Sequence, residues 1–79
     1  MLFLIEYDRA KGKVVTLKPF PNTERAIADE ELLETELRLN RAGIQREVVI
    51  LEAPTEAALR RTHRRYFETL EQLATLPAA

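Results

Sequence analysis

The chain has 79 residues, a formal net charge of −1, 32% charged and 46% hydrophobic residues, and no cysteine. This is the balance of a globular chain rather than a disordered one, and the missing thiols exclude disulfides and thiolate metal sites. The small net charge provides no whole-molecule field for nucleic acid or an anionic membrane, and the longest apolar run, Met1 to Ile5, is far short of a membrane span.

Leu2 to Tyr7 is a nearly continuous apolar run, the pattern of a strand buried on both faces. Asp8 to Gly12 reads as a turn, with Asp8 capping its own backbone and Gly12 taking positive φ. Lys13 to Phe20 follows as a second strand, with Val15 and Leu17 expected on one face and Thr16 and Lys18 on the other. Pro19 and Pro21 cannot donate to a ladder and place this strand at a sheet edge.

Asn22 or Thr23 is the expected N-cap of a first helix that runs to about Ala42 and stops at Gly43. Ala28, Leu32 and Leu39 lie along one line of it. Leu33 and Leu37 are displaced around the barrel, so the apolar arc is wider than one sheet contact needs. Glu47 to Glu52 is a third strand, again apolar on both faces. Pro54 suits the first position of a second helix. That helix is expected to reach about Leu76, with Leu59, His63, Tyr66, Leu70 and Leu73 as its stripe.

These elements predict a single α+β domain over residues 1–79 with the order ββαβα. Its three-stranded sheet has the order 2-1-3, strand 1 central, packed with two helices. One tension stands out. Strands 1 and 3 offer large apolar residues to both faces, so either each face carries one helix, or both helices share a face and a second copy covers the other. A domain this small buries only about 60% of its unfolded surface, which makes a partner chain an expected source of stability. The expected dimer contact is therefore the open sheet face, through Phe3, Ile5, Tyr7, Val49 and Leu51, or the helix surface at Leu33 and Leu37.

Few chemistries are open to this composition. Serine and cysteine are absent and His63 is the only histidine, so a Ser/His or Cys/His pair cannot form within one chain. Two glycines, Gly12 and Gly43, make no phosphate loop. No catalytic, cofactor or metal residue is assigned. Helical carboxylates such as Glu30 and Glu34 read as solvated, with Glu34 placed to pair with Arg38.

The sharpest local feature is Arg60-Arg61-Thr62-His63-Arg64-Arg65. On one continuous helix Arg60 and Arg64, and Arg61 and Arg65, would stack at i,i+4 with a small repulsive cost. Arg60, Arg61, Arg64 and Arg65 are thus candidates for contacting an anion or an acidic protein partner. The competing expectation is that they pair with Glu30, Glu31 or Glu34 of the first helix, with a second subunit's helix, or locally with Glu56 and Glu68. The leading expectation is a cytoplasmic, non-enzymatic interaction module that forms a homodimer. The alternative is an accessory nucleic-acid- or phosphate-binding domain that uses the arginines.

Overall fold

The computed structural model describes residues 1–68. Three strands, β1 (Leu2–Asp8), β2 (Lys13–Phe20) and β3 (Glu47–Glu52), form one sheet in the order β2-β1-β3. β1 is central and antiparallel to both neighbours. Helix α1 (Arg25–Ala42) joins β2 to β3, and the short helix α2 (Glu56–Thr62) follows β3. This is the small α+β fold, with the strand order, that the pattern predicts.

The β-hairpin closes as its residues dictate. Gly12 takes φ 65°, its N–H donates to the Asp8 carbonyl at 2.8 Å, and the Lys11 N–H donates to Asp8 Oδ1 at 3.1 Å. One detail departs from simple alternation. The register passes from Glu6↔Thr16 to Tyr7↔Val14, which leaves Val15 as a bulge residue. Val14, rather than Val15, therefore joins Leu17 over the core, while Val15 points to solvent.

The two-faced strands are resolved by one helix on each face. Leu2 and Leu4 of β1 pack with Phe20 and Ala28, joined by Leu32, Val48 and Ile50, beneath α1. On the opposite face Phe3, Ile5 and Tyr7 pack with Ala53, Leu59 and Tyr66, joined by Val49 and Leu51. The chain thus covers with its own C-terminal segment the face that a second copy could otherwise have taken.

Both helix starts differ from expectation. A single 3-10 turn, Asn22–Glu24, precedes α1, so the α-helix proper begins at Arg25. For α2 the N-cap is Thr55, whose Oγ1 accepts the Ala58 N–H at 3.1 Å, and Pro54 lies before the cap instead of inside the helix.

The larger correction is the end of α2. It stops at Thr62, and a 3-10 turn, Arg64–Tyr66, follows a His63 with φ −121° and ψ 53°. Three causes act together. Thr62 Oγ1 donates to the carbonyls of Ala58 and Leu59 at 3.0 and 3.3 Å, in competition with helix continuation. Ending the helix removes the like-charge stacking of the arginines. The bend also sets Tyr66 edge-on to Tyr7, with ring centroids 5.1 Å apart and planes at 89°. The expected continuation to Leu76 lies outside the described residues.

Candidate interaction surface

The four arginines do not form one cationic face, and none meets α1, because the sheet lies between the two helices. Arg60 Nε donates to Glu56 at 3.2 Å while its guanidinium sits 4.6 Å from the Phe67 ring centroid. Arg64 donates to Glu68 at 2.5 Å. Arg65 crosses to β3, where it donates to both Glu47 oxygens at 2.8 and 2.9 Å, and it stacks 4.1 Å from the Tyr66 ring centroid. Of these four, Arg61 alone has no ion pair among the described residues. Of the expected pairings, the local ones with Glu56 and Glu68 form, those with Glu30, Glu31 or Glu34 do not, and Arg65 is tied to the sheet instead.

Glu47 is the hub of that tie, since Arg9 of the hairpin loop also reaches it at 3.4 Å. Burial works to raise the Glu47 carboxyl, but the hydrogen bonds and charges of Arg65 and Arg9 outweigh it and hold it below its ordinary 4.5. The bond to Glu47 in turn raises the Arg65 guanidinium. Burial raises the Tyr66 phenol, and the nearby Glu47 charge adds to the shift. These groups fasten the turn after α2 to the sheet. The Tyr7 hydroxyl adds a bond to the Arg65 carbonyl at 3.4 Å.

A second polar cluster lies on the α1 side, which the reading of the strands as apolar on both faces passed over. Glu6 is buried at 3% exposure on the face that carries Leu2 and Leu4. It accepts from Arg46 and, at 3.4 Å, from the Thr16 hydroxyl, with Arg38 of α1 at 3.5 Å. Arg38 therefore serves the sheet and not Glu34. The available signal was a lone acid in an apolar strand together with a basic residue just before β3. Among the described residues the buried Arg46 Nε has no hydrogen-bond partner.

The expected interface residues separate into two groups. Phe3, Ile5 and Tyr7 are core residues of the single chain, and Val49 and Leu51 are half-buried beside them under α2. Leu33 and Leu37 remain on the surface. With Ile27 and Ile44 they are the large apolar residues exposed along α1 and its exit, at 57, 44, 49 and 44% respectively. Ile44 is placed there by the helix stop. Gly43 at φ 68° donates to the Asn40 carbonyl and Ile44 donates to Leu39 O at 2.9 Å, the paired bonds of a Schellman cap.

Leu33, Leu37 and Ile44 border an open groove of about 850 Å³ between the C-terminal half of α1 and the loop into β3, with Arg9, Glu36 and Arg46 at its rim. A shallower groove of about 510 Å³ runs on the other side of Leu37, beside Glu34, Arg38 and Arg41. Leu37 is thus a ridge between two depressions, the relief that helix packing uses. His63 sits at the end of α2 with Thr62 Oγ1 2.9 Å from its Nδ1. Among the described residues no group of three or more His, Asp or Glu is arranged to hold a metal, and no helix is long and apolar enough to cross a membrane.

No protein-family model matches the chain, and neither a curated protein nor a solved structure matches it.

Proposed function

We propose that this domain is a non-enzymatic, cytoplasmic protein-interaction module that self-associates through the outward face of α1 and Ile44. The observation that carries the reading is the exposure of Ile27, Leu33, Leu37 and Ile44 along one helix and its exit. Large apolar side chains grouped on one element mark an interaction surface more strongly than the same residues scattered. Each is worth roughly 1.5–3 kcal/mol if fully removed from water. The sheet faces have no such need, since each already carries its own helix.

The arginine reading, in which an acidic protein, nucleic acid or phosphate is bound, has thinner support. Arg60, Arg64 and Arg65 are each paired with a carboxylate of the same chain. Charge already neutralised within the fold releases few counterions when an anion binds.

Light scattering on the intact chain at high micromolar concentration tests the proposal. The expected result is a dimer mass that falls to the monomer value in Leu33→Lys/Leu37→Lys with the circular dichroism unchanged. A monomer at every concentration, or a dimer that ignores both substitutions, would overturn it.

A further inference from the structure

The outward face of α1 carries a charge pattern that bears on how its partner is seated. Ile27, Glu30, Glu34, Leu37, Arg41 and Ile44 recur at spacings of three and four, and all six are exposed. At about 100° per residue, Ile27 to Arg41 form a stripe on the side turned away from the sheet-facing line of Ala28, Leu32 and Leu39. The spacing reads the same from either end, but the charge does not: the N-terminal half is acidic and the C-terminal half basic. Among the described residues Glu30, Glu34 and Arg41 have no ion pair within the chain.

This pattern discriminates between ways of pairing two copies. In an antiparallel pair related by a two-fold axis, each flank of one helix meets the same flank of the other with its direction reversed. The acidic half of each copy then lies along the basic half of its partner. Centring the axis near Thr35 sets Leu33 of each copy against Leu37 of the other. Within one residue of that register, about 1.5 Å along the axis, Ile27 is level with Ile44 and Glu30 with Arg41. A parallel pair would place Glu30 against Glu30 and Arg41 against Arg41, which is repulsive at both ends.

Resting on the self-association proposed above, we infer that the occupant of this face is a second copy of the chain, packed with α1 antiparallel to α1 in this register. Leu33 and Leu37 form the apolar centre, and Glu30–Arg41 pairs between copies fix the direction. The groove beside Leu37 and Ile44 receives the partner's ridge, and Arg41 beside the shallower groove is positioned for the partner's acidic half.

Charge reversal tests the register through sedimentation velocity on the full chain. Glu30→Arg and Arg41→Glu, each alone, should weaken the dimer about tenfold or more, since each converts two attractive pairs into repulsive ones. An equimolar mixture of the two variants should recover the dimer, because every 30–41 contact between unlike chains is again attractive. The double variant Glu30→Arg/Arg41→Glu should dimerise with itself. Both substitutions are on solvent-exposed helix positions, and unchanged circular dichroism verifies folding. A dimer that needs Leu33 and Leu37 but is indifferent to reversal and mixing would overturn the register while leaving the proposed function standing. A wild-type monomer would overturn both.

Discussion

Glu6 and Glu47 show how differently one residue type can be used on the two faces of a small sheet. Glu6 is nearly buried, with Arg46 as its closest partner and its side chain 5% exposed. Removing Arg46 leaves the buried Glu6 carboxylate with only the more exposed Arg38 at 3.5 Å and the Thr16 hydroxyl, a larger loss than that of a surface ion pair. Arg46→Ala should therefore lower unfolding free energy by about 2–4 kcal/mol in urea denaturation, while Arg9→Ala should change it by less than about 1 kcal/mol. Glu47 is held below its ordinary 4.5 by Arg65 and Arg9 against the opposing effect of burial. A depressed folded-state value means the stabilisation is present above about pH 4.5 and is lost as pH falls through the folded value. Stability curves of the wild type and Glu47→Gln should therefore converge on acidification, with the wild type the more stable at neutral pH. Curves that stay parallel from pH 7 to pH 3 would contradict this account of Glu47.

At the scale of elements, the strands and the first helix were legible because their periodicity is set by burial. Leu2 and Leu4 against Phe3 and Ile5 are divided between faces as alternation requires, and Ala28 and Leu39 are the buried residues of α1. What could not be read came from contacts distant in sequence. The bulge at Val15 shifts which valine faces the core, and no turn residue marks it. The stop at Thr62 combines the local bonds of the Thr62 hydroxyl with Tyr66 meeting Tyr7, and Arg65 meeting Glu47 holds the turn that follows, both partners far away along the chain. The stripe from Leu59 through His63 to Tyr66 is helical in spacing, yet the chain bends inside it. Tyr66→Ala should cost about 3 kcal/mol or more of stability, as truncation of a buried aromatic does. It should also raise amide exchange in the turn after α2 before the strands exchange. Gly43 is the corresponding point on α1. Nothing lies within 4 Å of an added Cβ, so Gly43→Ala is opposed by its φ of 68° alone. The cost should be about 1 kcal/mol, and displacement of Ile44 should weaken association as well.

For the whole molecule, a chain with one helix on each sheet face has satisfied its strands and, among the described residues, leaves large apolar side chains exposed on one helix and its exit. That separates the two interface candidates that the sequence offers as alternatives. The sheet-face residues Phe3, Ile5 and Tyr7 are in the core of the single chain, whereas Leu33 and Leu37 are exposed on α1. Signs of this were present in the arc of α1 beyond the sheet-facing line, but its significance depended on where the second helix went. Only the structure shows that. The surface is compact, an 18-residue helix and its exit, so association should respond strongly to single substitutions near its centre and weakly at its ends. The most direct measurement is an isotope-filtered NOE experiment on a mixture of 13C-labelled and unlabelled chain. Intermolecular methyl contacts from Leu33 to Leu37 and from Ile27 to Ile44 are the predicted result. Intermolecular contacts confined to other surfaces, or none at millimolar concentration, would contradict the account.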